Sequence, residues 1–533
     1  MTPSTYTRSL LLGRVELAVF VSGVASMGLE IVAGRLLAAT FGSSIFVWGS
    51  IIGVFLAALA LGYWVAGRRA GTHASRHALA LALVLAAAYV GGLVIAGEAV
   101  LAAVSDLGLP PRFAPLVPVT ILFGPPTVLL GFVSPFAAEL VDARSTGDAS
   151  GRVYALGTAG SIVGAFGTTF FLVPVLGVPA IEAGFGVLLV GAALAVSPLD
   201  AVRLNTATVV VGLGIVLALA ITVGAATSPQ VVYETETPYQ HMRIVDDDGV
   251  RTMYLNGGAQ SAMDLDRPNR YVFGYSSYLH LPLLAVDDPD DVNRVLFVGG
   301  GGFSSPKRFV HEYPNVTVDV VELDPEVVGA AKEYFRVEES PRLDIHTEDG
   351  RVFLRGTNRT YDVIVLDAFR STQVPYHLTT EEFLQLVKAR LDADGVVVAN
   401  VISSTDGPDS AFYRAQYRTL DAVFPRVYSF PTRDAGGLQN IELLATVDAE
   451  RLTKTELLAR NRNRSLGLDL ASEISRYTVD VDTEGAPLLT DDYAPVDSLL
   501  ASQVDQSYDP TRVGNGTDAG GTTAEPDRAL ARP

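Results

Sequence analysis

The run Val295–Phe309, "VLFVGGGGFSSPKRF", puts four consecutive glycines at the end of an apolar stretch and in front of a polar one. Glycine lets a backbone turn sharply and approach a ligand closely, so a strand ending this way reads as the first strand of a nucleoside-binding sheet. The chain that follows agrees. "RVLFVGG", "VTVDVVEL", "RLDIHTED", "YDVIVLD" and "GVVVANVI" read as strands, separated by helical stretches such as "PEVVGAAKEYF" and "TTEEFLQLVKARL". Alternating strand and helix implies a parallel sheet covered on both faces, a Rossmann-like, methyltransferase-type α/β domain.

Ligands of such sheets sit beyond the carboxyl ends of the strands, so the residues at those ends carry the chemistry. Here they are Gly299–Gly302, then Glu322, Asp349 and Asp367. Glu322 follows the glycines at the spacing from which an acid reaches ribose hydroxyls. Singly, an aspartate at a strand end is often a helix cap and a glycine run is a weak signal. Three acids at successive strand tips behind one glycine loop are a stronger one. The third glycine of the dinucleotide pattern is missing, with Ser304 in its place, which favours an adenosylmethionine-type nucleoside over NAD.

Working back toward the N-terminus, "VVYETET", "HMRIVDDD" and "VRTMYLN" read as a small antiparallel β unit with "DDDGV" as its turn. Before it the composition changes to Ala, Val, Leu, Gly and Ile. Stretches near Val15–Gly34, Ile45–Ala66, Ala78–Val104, Ala114–Leu140, Val153–Val173, Ala180–Val196 and Thr206–Val223 are long enough to span a bilayer. "LGTAGSIVGAFGTTFF" points to close helix packing through small residues. Glu30 and Glu139 fall in or at the end of spans and are expected to pair with Arg35 and Arg144. Arginines before the first span and after the second favour an inside N-terminus, and seven spans then put the soluble half outside. The stretch broken by "GPP" at Gly124–Pro126 is where that count is most open to revision.

The expected organisation is thus an α-helical multispan membrane domain (1–228), a small β subdomain (229–290), the Rossmann-like domain (291–448), a C-terminal extension (449–500) and a disordered tail (501–533). A net charge of -19 excludes a nucleic-acid binder, which needs a basic face. Only four of the 39 basic residues are lysine, and with abundant carboxylates this fits a high-salt habitat. Without cysteine there is no disulfide, thiol nucleophile or Cys-based zinc site, and no metal is expected.

From about Tyr233 to Ala445 the residues resemble the spermidine synthase (polyamine aminopropyltransferase) family, and "LTDDYAPVDSLL" and "GLEIVAGRLLAATFGSSIFVWGSIIGVFLAALALGYWVAGR" look like its membrane-fused members. The resemblance implies decarboxylated S-adenosylmethionine as co-substrate and an acceptor amine in polyamine biosynthesis. It implies that Gln240 and the loop Gly299, Gly300 and Gly301 contact this ligand, that Glu322 binds its ribose, and that Asp349 and Gly350 lie at the adenine. Asp367 matches the aspartate that accepts a proton as the amine attacks, while Tyr275 and His280 fall in the substrate-side segment.

Two departures concern the acceptor. The family has an aspartate where this chain has Gly302, which makes room and removes a carboxylate, and another where it has Arg370. At ~4 Å and an effective dielectric of about 20, each such charge is worth on the order of 4 kcal/mol before desolvation, which puts a diamine acceptor in doubt. Arg370 in the cleft would suit a carboxylate or phosphate on the acceptor; on a loop it is equally well a solvated charge. His377 reads as a loop residue near a helix start. A methyltransferase using S-adenosylmethionine itself, and a non-catalytic transporter or sensor with a degenerate nucleoside-binding module, remain alternatives. The partners expected are a small-molecule substrate and the lipid bilayer, with a second copy of the chain as a candidate.

Overall fold

The structure is a computed structural model that describes residues 13–197 and 231–513, apart from short gaps at 42–43, 106–109, 111, 142, 144, 370–373, 435, 465, 480, 504–505, 507 and 509. It divides into two compact units, Met1–Met242 and Arg243–Pro533.

The described residues of the first unit carry six helices long and apolar enough to cross a membrane. They are built from α1 (Arg14–Phe41), α2 (Ile45–His73), α3 (Arg76–Ser105), α4 (Leu116–Gly131) with α5 (Val133–Leu140), α6 (Thr146–Gly167) with a π-helical turn over Thr168–Leu172, and α7 (Val178–Val196). The seventh expected span, Thr206–Val223, lies outside the described residues. Glycines set the close approach of α1 and α6. A Cβ on Gly160 would run into the backbone of Phe20, and one on Gly164 into that of Val24. The expected break at "GPP" is absent, since α4 continues through Pro125 and Pro126 and ends at Gly131. Pro125 has no N–H to give to the carbonyl of Ile121, and the Tyr89 hydroxyl on α3 donates to that oxygen instead, at 2.5 Å.

The expected partners of Glu30 and Glu139 are Arg35 and Arg144. Arg35 donates to the Thr237 carbonyl at 2.6 Å and lies 3.9 Å from Glu236, while Arg144 lies outside the described residues. Among the described residues of the helices, an ion pair joins Glu16 of α1 to Arg152 of α6.

β1 (Val231–Glu236), β2 (His241–Asp247), β3 (Val250–Leu255) and β4 (Gly258–Asp264) form a four-stranded sheet in chain order. Two of its turns are left-handed pairs, Asp248–Gly249 at φ 47° and 76° and Asn256–Gly257 at φ 49° and 83°, the geometry that suits the twist of tight hairpins.

The larger sheet runs in the order β10-β11-β9-β8-β5-β6-β7. Its strands are β5 (Arg294–Val298), β6 (Thr317–Glu322), β7 (Leu343–Thr347), β8 (Tyr361–Leu366), β9 (Leu391–Ser403), β10 (Arg426–Pro431) and β11 (Gln439–Thr446). The five strands read from the sequence are the parallel ones. β10 and β11 add an antiparallel edge that the alternation of strand and helix does not announce. Apolar residues on both faces of β5, β8 and β9 bury it, with Leu296, Ile364 and Val397 fully enclosed.

Part of the stretch expected to form the tail is described. Ala501–Gln503 is a 3-10 turn, and Gly274 N–H donates to Thr511 O at 2.9 Å and Val513 N–H to Val272 O at 2.8 Å. Residues 514–533 lie outside the description. Within "LTDDYAPVDSLL", Leu489, Val496 and Leu500 join the core of the larger sheet, and Asp491 takes two hydrogen bonds from Arg351, at 2.7 and 2.5 Å.

Candidate active site

β5 is central in the sheet, with β8 on one side and β6 on the other, so the chain order reverses there and leaves a crevice at the strand tips. The glycine loop fills this point. Gly299 has φ 101°, and a Cβ on it would lie 2.5 Å from the Asp367 carbonyl oxygen, so only glycine lets β5 and β8 end side by side. Phe303, which caps the helix Ser304–Glu312, takes a left-handed φ of 57°. Its fully buried ring lies against Gly300, where a Cβ would stand 2.7 Å from it, so apolar burial offsets the backbone strain.

Glu322, at the tip of β6, holds the loop. Its Oε2 accepts from Gly300 N–H at 2.9 Å and Gly301 N–H at 3.3 Å, and its Oε1 accepts from Asp324 N–H at 3.1 Å. Asp349 caps the helix Gly350–Gly356, with Oδ1 accepting from Arg351 N–H at 2.9 Å and Val352 N–H at 3.0 Å, while Oδ2 lies 2.8 Å from His377 Nε2. Burial pushes its carboxyl up, but His377 and the two backbone N–H groups outweigh that and hold it below the ordinary range. His377, read from the sequence as an incidental loop residue, is therefore the partner of a strand-tip acid.

Asp367, just past β8, lines a cavity together with Tyr275, Phe273, Ser261, Gly299 and Gly300. Asn400 Nδ2 donates to its Oδ1 at 2.7 Å, and the Tyr275 hydroxyl donates to it as well. Desolvation exceeds these two bonds, and the carboxyl is pushed up to about 6. A carboxylate so placed can take a proton and give it up near neutral pH, as a general base requires.

The other expected site residues are distributed differently. His280 does not line the cavity. It is fully buried, stacked on Phe309 at 4.3 Å, with Tyr271 and Tyr313 hydroxyls each 2.7 Å from a ring nitrogen, and burial beside Arg308 pushes it down to about 3. It is a neutral core histidine. Gln240 is buried in the turn before β2, in the first unit, with its N–H donating to Thr237 Oγ1 at 3.0 Å. Gly350 is buried under Val298. Arg370 lies outside the described residues.

The spermine/spermidine synthase domain model matches residues 272–407. A polyamine aminopropyltransferase of Vibrio vulnificus is 27% identical over 279 residues, covering 50% of this chain and 91% of that protein. One from Moorella thermoacetica is 31% identical over 218 residues, covering 39% of this chain and 73% of that protein. The chain belongs to the spermidine synthase family. A solved structure of spermidine synthase from Thermotoga maritima is 24% identical and covers 47% of this chain and 85% of that one, with a TM-score of 0.38.

For a member of the spermidine synthase family, Gly302 has an unexpected role. The sequence reading takes it to make room, yet a Cβ there would lie 2.8 Å from Ser261 Cβ and 3.1 Å from the Phe335 ring. The space is already filled by Ser261, whose Oγ accepts Gly302 N–H at 2.9 Å. Sequence reading also misses Asn400 and Asn440, which extend the hydrogen bonds of Asp367 across β9 and β11. Asn440 Nδ2 donates to Asn400 Oδ1 at 2.8 Å. The signal available was polar side chains inside runs otherwise apolar, "VVVANVI" and "NIELLAT".

Proposed function

We propose that this chain is a membrane-embedded aminopropyltransferase of polyamine biosynthesis whose donor is decarboxylated S-adenosylmethionine. Relatives named for that transfer support the reaction class, and six apolar helices support the membrane setting. The observation that carries the reading to this chain is Asp367, raised to about 6 at the tip of β8 and lining the cavity beside the glycine loop.

In the reaction a neutral amine of the acceptor attacks the aminopropyl carbon attached to the sulfonium. A C–N bond forms, the C–S bond breaks with its electron pair going to sulfur, and methylthioadenosine leaves. Asp367 takes the proton shed by the attacking nitrogen, and holding the two reactants in line supplies most of the acceleration. Glu322 would hold the ribose. Among the described residues its Oε1 accepts only the Asp324 N–H, and an ionised carboxylate oxygen can accept a second bond. Asp349 and Gly350 would complete the nucleoside contacts.

The test is product analysis with the full chain in detergent and high salt, supplied with decarboxylated S-adenosylmethionine or S-adenosylmethionine and an amine. Equal amounts of methylthioadenosine and aminopropylated amine are expected. A methylated amine would replace this reading with methyl transfer, and no product from either donor would remove it.

A further inference from the structure

Tyr508 belongs to the C-terminal segment, far in sequence from the residues of the cavity, yet its hydroxyl donates to Asn440 Oδ1. The bonds continue inward. Asn440 Nδ2 donates to Asn400 Oδ1 at 2.8 Å, and Asn400 Nδ2 donates to Asp367 Oδ1 at 2.7 Å. The inner end forces the direction of this line of bonds. A carboxylate only accepts, so Asn400 must turn its amide N–H groups to Asp367 and its oxygen to Asn440, and Asn440 must then turn its own oxygen outward. Both asparagines are buried, and an outward oxygen left without a donor costs free energy. The Tyr508 phenol is the donor that stands there. Its segment is pinned on both sides. Gln503 Nε2 donates to the Asp409 carbonyl and Gln506 Nε2 to Asp409 Oδ2, each at 2.8 Å. Beyond Tyr508, Arg433 donates to Thr511 Oγ1 at 2.9 Å, and Arg512 bridges to Phe273 of the cavity wall.

We propose that Tyr508 is a positioning residue for Asp367: its phenol sets which way the Asn440 and Asn400 amides face, and so keeps an N–H of Asn400 on the base. This rests on the transferase reading above. With the phenol gone, nothing holds the Asn440 oxygen outward. The amide of Asn440 is then free to reverse, Asn400 reverses with it, and the Asn400 oxygen meets Asp367. An oxygen there accepts from a protonated carboxyl and repels an ionised one, so the acid gives up its proton at a higher pH. The titratable groups that face Asp367 are Tyr275 of the 3-10 turn Gly274–His280, which donates to it, and Glu442 of β11, whose own carboxyl is pushed up by burial first and then by the charge of Asp367. Asn400 and Tyr275 are the donors that hold the ionised form of Asp367 against burial, so the loss of one is felt directly.

The experiment reads the midpoint of Asp367 in two ways on the full chain in detergent. One is the pH profile of kcat/KM; the other is the infrared C=O band of the protonated carboxyl, isolated by subtracting the spectrum of the matching Asp367→Asn variant. Tyr508→Phe, which keeps the ring and removes the hydroxyl, should move the midpoint up by about half to one pH unit, the worth of one hydrogen bond. Its kcat/KM should be down about 3- to 10-fold below the midpoint, and the loss should shrink as pH rises past it. Asn440→Leu should give the same shift, and adding Tyr508→Phe to it should give no more, since the two act through one line of bonds. Gln506→Ala, which loosens the segment at Asp409 without entering that line, should leave the midpoint in place. An unmoved midpoint in Tyr508→Phe, additive shifts in the double variant, or an equal shift in Gln506→Ala would overturn the proposal. The two readings fail separately. A shifted infrared midpoint without aminopropyl transfer removes the reaction and keeps the line of bonds; transfer with an unmoved midpoint removes the role of Tyr508.

Discussion

At the tip of β7, Asp349 receives two backbone N–H groups on one oxygen and His377 on the other; at the tip of β8, Asp367 has Asn400 and Tyr275 and little else. Burial raises both carboxyls, and the donors decide the outcome, which is below the ordinary 3.8 for Asp349 and about 6 for Asp367. The same residue type at equivalent places in one sheet is thus a helix cap with a lowered carboxyl in one case and a carboxyl raised toward neutrality in the other. A strand-tip acid has to be assigned by counting what donates to it.

The two acids also pull stability in opposite directions with pH. What Asp349 contributes is fully present above the unfolded value near 3.8 and is lost as pH falls through its lowered folded value. Asp367, being raised, favours the fold below 3.8, and that contribution disappears as pH rises through about 6.

The largest effect that would break the comparison is on turnover. Asp367→Asn should lower kcat by about 10²- to 10⁴-fold with methylthioadenosine affinity kept, as measured by single-turnover kinetics and titration; an active variant would leave Asp367 as ordinary as a cap. Next, kcat/KM of the wild type should fall about tenfold per pH unit below a midpoint of about 6, because the base must be ionised. Tyr275→Phe sharpens this point. It removes a donor that lowers the carboxyl, so the midpoint should move upward, and an unmoved midpoint would mean that the phenol does not hold Asp367. On the other side of the comparison, Asp349→Ala should cost about 1 kcal/mol of stability through the lost helix cap, read from the shift in urea midpoint. His377→Ala should cost less, within ~1 kcal/mol, since that pair is partly open to water.

Much of this was legible in the sequence because β5 to β9 are covered on both faces and so appear as apolar runs with the candidate site residues just beyond them. Gly299, Glu322 and Asp367 could be placed by that rule alone. The environment of each acid could not. Asn400 meets Asp367 across two strands, His377 reaches Asp349 from a separate loop, and β11 pairs with β9 from some forty residues away, so none of these leaves a local spacing to read. Gly302 shows the same limit from the other direction. A missing side chain looks like space until the hairpin that carries Ser261 is folded against it.

The hydroxyl of Tyr89 on the Ile121 carbonyl has a mechanical consequence for the half that carries the long apolar helices. Proline in α4 leaves that oxygen unbonded within its own helix, and apolar surroundings offer no donor to replace the missing one. α3 therefore works as a key in the side of α4. Sliding or rolling either helix by a single residue would withdraw the phenol and leave a bare dipole among apolar side chains, so the two are expected to travel as one piece in any motion this domain makes.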